Sequence, residues 1–86
     1  MDEEELRQTA RERLERGELP RLSPLRIWIN QGAFEACSLC GAVIGESETE
    51  YELEFELRYD LSRSELVPFR FHALCHGIWQ VERIRR

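Results

Sequence analysis

The chain has 86 residues, three Cys, and seventeen Asp and Glu against twelve basic residues, all Arg, for a formal charge of −5. That length supports one domain that buries about 60–65% of its unfolded surface, a core that needs a disulfide, a metal or a partner to be secure. Three cysteines exclude a fully paired disulfide framework, no apolar run reaches the length of a membrane span, and the acidic balance argues against the broad basic footprint of a nucleic-acid binder. With no signal-like apolar stretch after Met1-Asp2-Glu3, a reducing, cytoplasmic location is expected.

Residues 1–17 read as an amphipathic helix over Asp2–Arg16. Asp2 and Glu5 have capping-box spacing, Glu3–Arg7 and Glu12–Arg16 are i, i+4 pairs, and Gly17 stands where the helix should stop. Its stripe of Leu6, Ala10 and Leu14 is narrow, which suits a peripheral helix or one that meets a partner chain, so a monomer or a weak dimer through this helix is expected. Residues 18–34, with Gly17 just before them and Pro20, Pro24 and Gly32 within, read as a connector with one short strand near Ile27–Ile29 and with Trp28 in the core.

The rest of the chain, residues 35–86, reads as one unit. From Glu46 to Tyr59, glutamates at 46, 48, 50, 52, 54 and 56 alternate with Tyr51, Leu53, Phe55 and Leu57, which is a strand with one apolar and one acidic face. Asp60–Glu65 reads as a turn. Leu66–Phe71 returns as a second strand, with Phe69 and Phe71 on the apolar face, Arg70 outward opposite a glutamate, and Pro68 marking an edge or a bulge. A closing helix over Ala73–Arg83 carries an apolar stripe of Leu74, Ile78 and Val81, widened by Trp79.

Two half-sites bracket this hairpin. Cys37 and Cys40 form a Cys-x2-Cys turn followed by Gly41, and His72 and Cys75 lie three apart at the start of the last helix. Three thiolates and an imidazole fill a tetrahedral structural Zn2+ site and leave no open position, and the hairpin brings the pairs together across thirty-one intervening residues. His76 is an alternative fourth ligand or a neighbour of the site.

This pattern resembles the treble-clef zinc fingers and is similar to the first half of a LIM module, although the gap is longer and no second zinc module follows. It is also similar to small uncharacterised bacterial proteins with Cys-x2-Cys…His-x2-Cys-x3-Trp, here ending at Trp79. The resemblance rests on Cys37, Cys40, Gly41, His72 and Cys75. It implies a small α+β, zinc-stabilised domain with an N-terminal helix, a zinc knuckle, an antiparallel hairpin and a C-terminal helix, and it implies no activity.

Other chemistries fit less well. A redox dithiol at Cys37–Cys40 lacks its βαβ setting, and a Cys–His nucleophile would leave the matched spacings to coincidence. The deaminase order of ligands is absent, and no His precedes His72 to serve a ββα-metal nuclease. No enzyme is expected. Function then falls to the surface. Glu48, Glu50, Glu52, Glu54 and Glu56 are candidate contacts for a basic protein partner, whereas a strand of carboxylates wraps calcium poorly. Arg83, Arg85 and Arg86 are candidate phosphate contacts. The reading is a protein–protein interaction or adaptor module, with a nucleic-acid-binding regulator as the alternative that net charge disfavours.

Overall fold

The capping box expected at Asp2 is formed. In the computed structural model, which describes residues 1–85, the Glu5 N–H donates to Asp2 Oδ1 at 2.8 Å and the Asp2 N–H to Glu5 Oε1 at 3.4 Å. Helix α1 runs Glu3–Glu15, with three glutamates in its first turn favoured by the helix dipole, and the chain leaves it through Gly17 at φ 74°. Glu3 pairs with Arg7 at 3.1 Å, whereas Glu12 accepts from Gln8 instead of Arg16.

Three strands follow, β1 (Arg26–Gln31), β2 (Thr49–Asp60) and β3 (Arg63–His72), and helix α2 (Ala73–Arg83) closes the chain. The sheet is antiparallel in the order β1-β2-β3, so the expected hairpin gains a third strand from the connector. β2 and β3 extend further into the expected turn, leaving only Leu61 and Ser62 between them, with a bulge at Arg58/Asp60. The tip is tied by the Ser62 N–H and hydroxyl, both donating to Asp60 Oδ1. Pro68 lies on β3, an edge strand, as its missing N–H requires.

Period two sorts the sheet into faces. Tyr51, Leu53 and Phe55 turn with Phe69 and Phe71 toward α2, where the wholly buried Trp79 stacks on Phe71 at 5.5 Å and meets Phe55 edge-on at 6.0 Å. The Trp79 indole N–H donates to the Pro20 carbonyl at 2.9 Å, which draws the connector into the same core. α1 lies on α2 and buries Leu6, Ala10 and Leu14 there, so its apolar stripe is covered within its own chain.

Further expectations change. The buried face of α2 is Cys75, Ile78, Trp79 and Glu82, while Leu74 and Val81 are exposed. The helix is rotated because Cys75 must face the other cysteines and Trp79, one turn on, follows it inward. Trp28 is not a core residue. It is 48% exposed on the glutamate face, with its indole N–H donating to Glu54 Oε1 at 3.1 Å, because its neighbours Ile27 and Ile29 take the helix-side face opposite Leu53 and Tyr51. Among the described residues, no helix is long and apolar enough to cross a membrane.

Candidate metal centre

Cys37 and Cys40 sit in a turn closed from both sides. The Gly41 N–H donates to the Cys37 carbonyl at 2.9 Å, the Cys37 N–H to the Ala42 carbonyl at 2.8 Å, and Ala36 bridges Val43. Gly41 has φ 80°, a left-handed conformation that a side chain would strain. The turn is fastened to its surroundings through Ser38. Its hydroxyl accepts the Arg70 N–H at 3.1 Å, and its carbonyl accepts Arg13 Nη1 of α1 at 3.2 Å. His72 ends β3 as the N-cap of α2, and Cys75 lies in the first turn of that helix. The β2–β3 hairpin carries the chain out and back, which closes the long sequence gap.

One donor atom from each of Cys37, Cys40, His72 and Cys75 lies within 4.8 Å of every other, with Cys37 and Cys75 buried. These four residues form a site able to hold a metal ion. One edge of the donor set has the length a bound ion needs. A tetrahedral ion at ~2.3 Å from sulfur and ~2.0 Å from nitrogen needs sulfur–nitrogen edges of about 3.5 Å. Cys40 Sγ lies 3.5 Å from His72 Nδ1. Nδ1 therefore faces the sulfurs, while Nε2 faces Glu48 Oε2 at 3.5 Å. A carboxylate behind a ligating imidazole fixes its tautomer and ring orientation. The same Glu48 accepts the Gly45 N–H at 2.8 Å, so it is anchored in the turn entering β2.

Two of the thiols are shifted in opposite directions by their contact with each other. The bonded Cys75 side chain and main-chain N–H groups of Cys40, His72 and Leu39 hold the Cys37 thiol down to about 4 against the opposing effect of burial. Cys75 is pushed up, first by that same bond to Cys37, then by burial and the charges of its sulfur neighbours. A divalent ion favours the thiolate form of its sulfur ligands, which is how metal binding becomes folding free energy.

His76 is outside the donor set. Its ring stacks on Tyr51 at 4.5 Å between centroids, and burial, then Arg83, lower its pKa. The ladder glutamates have arginine or indole neighbours within the chain, although, among the described residues, buried Glu50 Oε1 accepts no hydrogen bond. Glu50 is buried 4.0 Å from Arg70 Nε, Glu52 lies 3.6 Å from Arg70, Glu54 takes the Trp28 N–H, and Glu56 accepts from Arg58 at 2.8 Å.

Arg83 lies over the Trp79 ring at 5.0 Å and donates to Gln80 and to the Arg21 carbonyl, Arg85 lies 4.0 Å from Glu82, and Arg86 falls outside the described residues. Sequence reasoning missed Glu82, a buried carboxylate that accepts from Arg11 at 2.9 Å and locks α2 to α1. Its partner is 71 residues away, and no local pattern announces such a pair. Comparison with protein-family models, curated proteins and solved structures gave no match.

Proposed function

We propose that this chain is a structural zinc domain of treble-clef type that serves as a protein-interaction module and performs no catalysis. The observation that carries the reading is the donor set itself. Four protein ligands satisfy a tetrahedral ion and leave no position for water or substrate. Sulfur-rich donors favour zinc over hard cations. The knuckle, the hairpin and the first turn of the closing helix supply the ligands in treble-clef order.

With the ion assigned to stability, recognition falls to the open sheet face. Trp28 stands there exposed beside Glu52 and Glu54, with Arg70 and Arg26 at its margins. An exposed tryptophan ringed by polar groups is a common anchor of protein interfaces. The nucleic-acid reading loses support because Arg83 is engaged within the fold.

The test compares the zinc-loaded wild type with Trp28→Ala in two assays, capture of partner proteins and a salt titration of nucleic-acid binding. The adaptor reading predicts a retained protein that Trp28→Ala releases, with no nucleic-acid retention at moderate salt. Affinity for nucleic acid that falls steeply with salt, and is unchanged in Trp28→Ala, overturns it.

A further inference from the structure

We infer that β1 is a self-pairing edge, through which two copies of this chain join their sheets into one of six strands. The inference is independent of the adaptor reading. β1 packs against β2 and touches neither helix, and all six of its residues are exposed. Natural edges are usually blunted by charge, proline or a bulge. This one has regular pairing from Arg26 to Gln31, no proline, and a single charge at one end.

The main-chain geometry says which groups are free. The Gly32 N–H donates to the Glu48 carbonyl at 2.9 Å, continuing the β1–β2 register. Alternation then turns the main-chain groups of Asn30, Trp28 and Arg26 toward β2, and those of Ile27, Ile29 and Gln31 outward. Among the described residues, none of these three makes a main-chain bond outside the strand ladder. A two-fold axis perpendicular to the sheet at Ile29 places Ile29 opposite its own copy and Ile27 opposite Gln31 of the second copy, and these are the residues whose outward groups can exchange bonds.

Side chains and charges agree with that register. Ile27 and Ile29, 50% and 64% exposed, lie on the helix side beyond the reach of α2, and pairing joins the two aliphatic rows. Trp28 meets Asn30 of the second copy, so no like charges oppose. Arg26, 65% exposed and only 4.0 Å from Glu54, lies opposite Gly32 of the second copy, whose β2 neighbour is Glu48. The cation of each copy thus points along the acidic side of the other. A short strand-to-strand contact belongs to the weak class of interfaces, below about 1,200 Å², so association should depend on concentration.

Sedimentation equilibrium of the zinc-loaded full chain from ~10 µM to ~1 mM tests this, together with amide exchange of the wild type at both ends of the range. The expected mass rises from 10.2 kDa toward twice that value, and protection appears at Ile27, Ile29 and Gln31 as concentration rises. Ile29→Pro removes an outward N–H and no β1–β2 bond, and an edge strand tolerates it. It should weaken association at least about tenfold with zinc content unchanged, and Ile29→Lys should do the same. A wild type that stays at 10.2 kDa overturns the inference and leaves the edge to a strand of another protein. Association without new protection at these three amides overturns it in favour of another face.

Discussion

Truncating Trp79 to alanine tests how far the metal centre depends on the aromatic packing beside it. The side chain is wholly buried, stacks on Phe71, meets Phe55 edge-on and donates to the Pro20 carbonyl. Large-to-small changes of this type cost about 3–5 kcal/mol. The loss of the hydrogen bond, which leaves the Pro20 carbonyl without its donor, places the substitution toward the upper end. A domain of 86 residues has a total stability on the order of 4–13 kcal/mol, so the change removes a large share of it. Where folding and metal binding are one equilibrium, the same free energy appears in the metal dissociation constant, a rise of roughly 150- to 5,000-fold. Competition with a chromophoric zinc chelator reads this directly. Trp28→Ala is the matched control, and its exposed position predicts a change within about threefold. Wild-type zinc affinity in Trp79→Ala would refute the claim that the aromatic core and the ion hold one another in place.

Three further outcomes follow from the geometry. Cys75→Ser should lose the ion and the cooperative fold together, whereas His76→Ala should keep a full equivalent of metal, as read by metal content and circular dichroism; loss of metal in His76→Ala would place the fourth donor at the wrong residue. Gly32→Ala should destabilise the loaded protein by about 1–3 kcal/mol in chemical denaturation, since its Cβ would meet the main-chain carbonyls of Gly45 and, at 2.7 Å, Ile44, which cannot swing aside. Acrylamide should quench one tryptophan readily and the other hardly at all, and the readily quenched component should vanish in Trp28→Ala rather than in Trp79→Phe.

Much of the local structure was legible because it depends on local spacing. The capping box at Asp2 and Glu5, the alternation along Tyr51–Leu57 and the span Ala73–Arg83 all follow from periods and end signals within a few residues. The four donors were legible for the same reason, as two short half-sites. What was hidden depends on distant parts of the chain. Trp28 reads as core by its type, and only the pairing of β1 on β2 shows which of its faces the helices leave open. Leu74 and Val81 fit a helical stripe, yet the rotation of α2 is set by where Cys75 must point. Glu48 looked like one more rung of a solvated ladder, and its place behind His72 follows from the turn that begins β2. Glu50 read as a rung of the acidic strand face and Glu82 gave no local signal at all, because the arginines beside them, Arg70 and Arg11, are brought up only by the fold.

The central claim is that one ion ties the turn at Cys37–Cys40 to the start of the last helix. Native mass spectrometry of chain purified without added metal, with X-ray absorption at the zinc edge on the same material, tests it most directly. The account predicts one zinc per chain, with three sulfurs at ~2.3 Å and one nitrogen at ~2.0 Å, and thiols that react only after chelation unfolds the protein. A chain that is metal-free and natively folded, with Cys37, Cys40 and Cys75 all freely reactive, contradicts it.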